Sequence, residues 1–382
     1  MNQPSRKLHK NQILLVDQII SAGTNYLPLV VPIMTKDWQT LGRLLLFQSF
    51  FVFFLGISRN AFGTFQLIHS SQNNTFRLLI RGSIFSILGY LISIAFLSPI
   101  QINRFLLALI FAFPIVQDIV RFELISRNHH LKALQSDLLW LVVSIVAFFC
   151  LHQETSLITR LLTSWGVGAF VGLIWSVAVK IFLDSPESEL IQKHKGSIFL
   201  WKFGLASMLA ELNTIIVNTI IIHSCGTSIL GEFRFYQITL LPIALLINLN
   251  RILLVPKYVE SKFSEIDAIL KKEHFFRILI YMGSIIFSIV RSGTGFSTYI
   301  SIISSIFAIE FAFRRNIKYF QLYIYRKENF VVHNLVEYLA LSIVIFFVSA
   351  QMKQISILSI ALFITEFVIL QILNTRLHTE HV

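Results

Sequence analysis

The chain has 382 residues, 55% of them hydrophobic and only 14% charged, with a mean hydropathy of +0.71. A soluble domain is about one-quarter charged, so this composition excludes a soluble globular protein and a disordered one, and points to an all-α integral membrane protein. The net charge of +12 reads as topology signals in loops and attraction to anionic lipids, not as a nucleic-acid surface.

The basic N-terminus MNQPSRKLHK precedes an apolar run that is too long for a signal peptide, contains Asp17 and lacks a small-residue cleavage site, so it reads as a retained first helix. A membrane span needs about 20 mostly apolar residues. On that basis spans are expected at 11–34, 43–69, 78–98, 103–121, 137–152, 160–183, 198–223, 232–255, 275–290, 296–313, 331–349 and 354–373, about twelve in all. The ninth is short, which leaves open whether it crosses fully, and the fourth contains Pro114. With both termini placed in the cytoplasm, most of the 32 Lys and Arg fall in cytoplasmic segments, as the positive-inside rule requires.

The polar connection DSPESELIQKHKGS, residues 184–197, follows the sixth span. It divides the chain into an N-terminal lobe (1–184), a cytoplasmic linker (185–197) and a C-terminal lobe (198–382), six spans each. A short repeat supports the division. LGRLLLFQ (41–48) and LGEFRFYQ (230–237) both read L-G-x4-aromatic-Gln, at the second and eighth spans. Six-helix halves begin and end on the same side, so such a repeat is parallel, and a substrate belongs between the halves.

The first span is unusually polar at VDQIISAGTN. Asp17, Ser21, Thr24 and Pro28 follow a 4-3-4 spacing that puts them on one helix face, with Asn25 beside it. In the seventh span Ser207, Glu211, Thr214 and Asn218 repeat the spacing. Charge inside a bilayer is costly and normally faces a bundle interior or a water-filled cavity. Both stripes are therefore expected to face a central cavity, with Asp17 and Glu211 as ion-coupling or gating groups and Asn25 and Asn218 as substrate contacts. Interhelical hydrogen bonding is the plainer alternative for the amides and hydroxyls.

Two arginines fall inside spans, Arg59 in FFLGISRNAFG and Arg251 in LLINLNRILLV. A guanidinium matches phosphate oxygens in bidentate fashion, so these two are candidate substrate-binding groups, with snorkelling to the interface as the alternative. Asp118 and Arg121 (i, i+3), and Glu310 and Arg314 (i, i+4), read as structural pairs. The two cysteines, Cys150 and Cys225, give no metal spacing. No metal site, cofactor motif or catalytic constellation stands out, and the expectation is a protein that is not an enzyme.

Several stretches resemble a known family: VDQIISAGTNYLPLVV with the later RNAFGTFQLI, then PIVQDIVRFELISRNHHLKALQSDLLWLVVS, then GTSILGEFRFYQITLLPIALLINLNRILLVPKY. Across residues 11 to 260 their order and spacing are similar to polysaccharide/O-antigen flippases (Wzx-like) of the multidrug/oligosaccharidyl-lipid/polysaccharide exporter superfamily. The resemblance implies two six-helix lobes in a V around a central cavity. It implies alternating access of a lipid-linked, diphosphate-bearing oligosaccharide across the bacterial inner membrane. The implied partners are that lipid-linked substrate, membrane lipids and polysaccharide assembly proteins, with no nucleic acid. It carries to Arg59 and Arg251 the role of engaging the diphosphate. The rival readings are an integral polysaccharide polymerase or ligase, which would need a large outer catalytic loop, and a cation-coupled drug exporter.

Overall fold

The computed structural model describes residues 4–58, 75–94, 103–127, 129–151, 156–183, 197–240, 242–243, 263–324 and 328–379. The described residues contain helices and turns and no strand. Arg59, Arg251, the far halves of the second and eighth expected spans, and nearly all of the 185–197 linker lie outside them.

The helices are α1 (Pro4–Thr35), α2 (Trp38–Ser58), α3 (Thr75–Ile94), α4 (Arg104–Ser126), α5 (His130–Cys150) and α6 (Leu157–Leu183). They continue as α7 (Ser197–Cys225), α8 (Thr227–Ile238), α9 (Phe263–Ser292), α10 (Phe296–Ile324), α11 (Glu328–Ala350) and α12 (Ile355–Thr379). Eight stretches of these helices are long and apolar enough to cross a membrane. The protein is a multi-pass membrane protein.

The short ninth span expected at 275–290 is corrected. α9 runs from Phe263 to Ser292, and residues 274–292 alone have the length and hydropathy of a span. Its first turns, FSEIDAILKKEH, carry too much charge to register as apolar, yet they are good helix formers and extend the helix. Gly293, with φ +89°, then turns the chain into α10.

Side-chain caps mark two of the helix starts. Asp37 accepts from the Thr40 amide at 3.0 Å and caps α2. Asn103 accepts from the amides of Phe105 and Leu106 and caps α4. Such caps satisfy amides that the first turn leaves unpaired. Pro28 interrupts the ladder of α1 by removing the amide that would bond the Thr24 carbonyl. The Trp165 indole donates to that carbonyl at 2.9 Å instead, so α6 completes the hydrogen bonding of α1.

The chain forms two compact units. Unit 1 comprises Met1–Thr35 and Leu46–Glu211; unit 2 comprises Lys36–Leu45 and Leu212–Val382. In unit 1, α6 packs on α5 and α4, α5 also packs on α1, and α3 covers α4. Its core is aromatic: Phe47, Phe51 and Phe54 stand edge-on to Phe111, and Phe47 and Phe51 stand edge-on to Trp165, the arrangement ring quadrupoles favour. In unit 2, α12 packs between α10 and α11, and α8 also contacts both α10 and α12. Val217, Ile221, Leu230, Phe233, Phe346 and Leu358 form its main apolar cluster.

Candidate functional site

The side chains that stand out are charged groups buried inside unit 1. Arg121 on α4 is 1% exposed and ion-pairs with acids from three helices. Its Nε lies 2.8 Å from Asp137 on α5, its Nη1 lies 3.4 Å from Asp118 one turn back on α4, and its Nη2 binds Asp17 on α1. Each guanidinium nitrogen therefore serves a different carboxylate, an arrangement that the rigid planar fork of arginine holds in place.

The polar group extends further. Gln117 donates to Asp137 Oδ1 at 2.8 Å and to Ser136 Oγ at 2.9 Å. Ser136 in turn donates to the Gly172 carbonyl, and Ser176 donates to Ser136 at 2.7 Å. The chain Ser176, Ser136, Gln117, Asp137, Arg121, Asp17 thus links α6, α5, α4 and α1. Two residues further along α4, buried Glu123 takes Arg127 at 2.9 Å and lies 3.9 Å from Lys180 of α6. A buried charge persists only when paired and hydrogen-bonded. These contacts are why such residues are tolerated in a helix bundle.

The polar face of α1 is real, but its expected destination is corrected. Asp17 and Thr24 are 0% exposed and Ser21 is 4% exposed, while Val16, Ile19 and Val30 on other faces are 44%, 50% and 49% exposed. The stripe packs into its own unit against α5 and α6 and does not line an open cavity. The physical reason is Arg121: an acid buried beside a fixed guanidinium is stabilised there, with no need of water. Asn25 borders the stripe, half-buried, and its backbone carbonyl accepts from Gln48 at 3.3 Å.

The α7 stripe is less uniform. Glu211 and Thr214 are half-buried, Asn218 is 1% exposed, and the boundary between units falls between Glu211 and Leu212. Asn218 Oδ1 accepts from Arg234 Nε at 2.8 Å, and Arg234 also binds Gln237. Asp17 and Glu211 are not matched positions either. Counting back from the glycines of the repeat, Asp17 lies 25 residues before Gly42 and Glu211 lies 20 before Gly231 (42 − 17 and 231 − 211).

Unit 2 has its own charged groups. Glu310 pairs with Arg314 at 3.0 Å and also accepts from Arg277 at 3.2 Å and Tyr281 at 2.7 Å. Arg315, 6% exposed, pairs with Glu366 of α12 at 2.6 Å, and Tyr338 of α11 donates to the same carboxylate at 2.6 Å. Arg315 also lies 4.2 Å from the Tyr338 ring centroid. At Arg315 one acid meets one guanidinium, and Glu310 meets two. In unit 1 the fully buried acids Asp17 and Asp137 share one.

Sequence reasoning read Asp118 and Arg121 as a local pair and missed Asp137, Gln117 and Ser136. A signal was present: Asp137 is a lone acid in QSDLLW at the edge of an apolar run, and an acid within a span is a functional candidate by default. Its depth was hidden because α5 begins at His130, two turns before the apolar run.

Among the described residues, no group of three or more His, Cys, Asp or Glu is arranged to hold a metal ion. No family model matches the chain, and no curated protein matches it. Solved structures do. One described as the inward-facing conformation of a multidrug resistance MATE family transporter of the MOP superfamily aligns with a TM-score of 0.56 and 11% identity, covering 97% of this chain and 95% of that one. A second, described as MATE in the straight conformation, aligns at 0.60 and 11% identity, covering 96% and 93%. The chain has the fold of these transporters over nearly its whole length.

Proposed function

We propose that this chain is a membrane exporter of the MOP type whose cargo is a lipid-linked, diphosphate-bearing oligosaccharide, turned outward across the bacterial inner membrane by alternating access. The fold shared with two transporters over at least 96% of the chain supports the exporter class. One observation carries the choice of an anionic cargo. The buried carboxylates of Asp17, Asp137 and Glu366, and the half-buried one of Glu310, all face guanidinium groups. A pocket for a cationic drug needs acids that are available to it; here these acids are engaged, and the chain carries a surplus of cations.

In this reading Arg59 and Arg251 hold the diphosphate, and Asn25 and Asn218 contribute hydrogen bonds to the head group. Coupling resides in unit 1. Asp17, Asp137 and Asp118 share Arg121, so a proton or small cation that balanced one of these acids would release one contact and loosen α1 from α4 and α5. Glu211 is a second gating candidate, in α7.

The test uses a deletion strain of the native host, with lipid-linked oligosaccharides extracted and assigned to a membrane face. Complete single units held on the cytoplasmic face are expected. Unpolymerised single units on the outer face would indicate a polymerase or ligase instead. Complementation with Arg59→Gln/Arg251→Gln is expected to abolish export at normal protein levels, and unchanged export removes both arginines from the mechanism. The second reading, a cation-coupled drug exporter, draws on the multidrug description of one solved structure. It predicts that the deletion strain becomes sensitive to cationic dyes while its glycan lipids stay normal.

A further inference from the structure

On the surface of unit 2, α10 and α12 share a seam whose side chains change character along its length. Phe307, Phe311, Arg314 and Lys318 follow a 4-3-4 spacing and lie on one face of α10; Phe363, Phe367 and Asn374 share a face of α12 in the same way. The four rings form a ladder across the seam. Phe311 stands 5.8 Å from Phe363 and 5.5 Å from Phe367, and Phe307 stands 6.0 Å from Phe363, centroid to centroid. This ladder is not core: Phe307 is 50% and Phe367 40% exposed, whereas Ala308 and Ile369, turned inward, are 1% and 0% exposed.

Beyond the ladder, positive charge is in surplus. The single carboxylate of Glu310 meets two guanidiniums, Arg277 at 3.2 Å and Arg314 at 3.0 Å. Arg277 is buried and the Arg314 side chain is 58% exposed, so the surplus is presented at the surface. One turn on, Lys318 Nζ donates to the Asn374 side-chain oxygen of α12, a neutral partner. The seam therefore ends in two cations one helical turn apart. Side chains at i and i+4 start about 5–6 Å apart, which lets a guanidinium and an ammonium straddle one phosphate. From Phe307 to Arg314 is about 10 Å of helix, and the hydrocarbon of one leaflet is about 15 Å deep. The rings thus sit at acyl-chain depth and the cations at headgroup depth of the same leaflet, which is the cytoplasmic one in the proposed orientation.

We propose that the α10–α12 seam is a binding site for one anionic phospholipid of the bilayer. Arg314 and Lys318 hold its phosphate, and one acyl chain lies along Phe307, Phe311, Phe363 and Phe367. Basic pockets between membrane helices hold acidic headgroups in this manner. The occupant is a resident lipid and not the cargo, because the site is complete within unit 2 and confined to one leaflet, whereas a cargo headgroup has to leave its leaflet. The proposal does not depend on what the protein exports.

In the experiment, the purified full chain in detergent is titrated with phosphatidylglycerol and with phosphatidylethanolamine, which share the glycerophosphate and differ in net charge, and bound lipid is counted by native mass spectrometry. Phosphatidylglycerol is expected to bind about thirtyfold more tightly, the factor that two cations beside an anionic headgroup supply. Arg314→Gln/Lys318→Gln is expected to bring the two lipids to the same affinity. Phe307→Ala/Phe367→Ala is expected to weaken both and leave their ratio intact. Equal binding of the two lipids by the unaltered chain would make the cations topology signals only and overturns the site, and that measurement decides even where a variant does not fold. A preference that survives both glutamines overturns it as well. Glycerol 3-phosphate competing as well as the whole lipid would mean a site for free phosphate, and displacement by an equimolar polyprenyl diphosphate would mean a cargo site; either result overturns the phospholipid assignment.

Discussion

Arg121 is the residue on which unit 1 depends most. Its three nitrogens serve Asp137, Asp118 and Asp17 from three helices. Removing one partner from a buried charged group strands the others, and Arg121→Ala is expected to cost about 3–5 kcal/mol, read as a fall in melting temperature in detergent. Asp137→Asn is expected to cost about 1 kcal/mol, because an amide oxygen still accepts from Gln117 while the count of acids on the guanidinium falls. If the two variants melt alike, the carboxylates do not depend on Arg121. A smaller effect sits at Lys36, whose φ of 59° places a residue with a Cβ in the left-handed region between α1 and α2. Lys36→Gly is expected to raise stability by up to about 1 kcal/mol, checked in the same melting series.

Among the elements, α6 shows how small residues set helix spacing. Gly168, Gly172 and Ser176 recur every fourth residue and face Ser136, Trp140 and Ser144 of α5. A Cβ on Gly168 would lie 2.1 Å from Ser144 Oγ and 2.5 Å from the Trp140 carbonyl, and one on Gly172 would lie 3.1 Å from the Ser136 carbonyl. The close approach brings Ser136 and Ser176 within hydrogen-bonding range and holds Gln117 against Asp137. Gly168→Ala is expected to destabilise the protein by about 1–3 kcal/mol through overpacking against backbone. Trp165→Phe is expected to cost about 1–3 kcal/mol by leaving the Thr24 carbonyl unsatisfied beside Pro28. Both are measured by thermal unfolding, and a Trp165→Phe protein that melts like the parent would show that another donor reaches Thr24. The polar face of α1 was legible because period and composition agree at Asp17, Ser21, Thr24 and Pro28. The length of α9 was not, because a helix can continue where hydropathy stops.

For the whole molecule, the proposed cytoplasmic placement of both termini rests on charge. Most Lys and Arg lie in segments assigned to the cytoplasm, and a single cysteine at His129 of a chain without Cys150 and Cys225 is expected to react with an impermeant maleimide only in inverted vesicles. One at Lys353, between α11 and α12, is expected to react only in right-side-out vesicles. Labelling of both from the same side would break the alternation that an odd number of spans between them requires.

The sequence by itself determined a membrane protein, an order of helices, and which face of α1 is polar. These follow from composition and from the 3.6-residue period, and both are local properties of the chain. It also marked Gly42 and Gly231 as equivalent, through a repeat of a few letters. Only the tertiary structure decided what those groups meet. Asp17 and Arg121 are 104 residues apart, and no spacing rule reports that α1, α4 and α5 bring their charges to one point. The two glycines carry no side chain whose pattern could announce a contact; that a Cβ on Gly42 would lie 1.9 Å from the Thr227 carbonyl oxygen is seen only where two backbones cross. Pairing of buried charge and close approach of backbones depend on how helices pack, and packing is a property of the assembled bundle, not of any segment read alone.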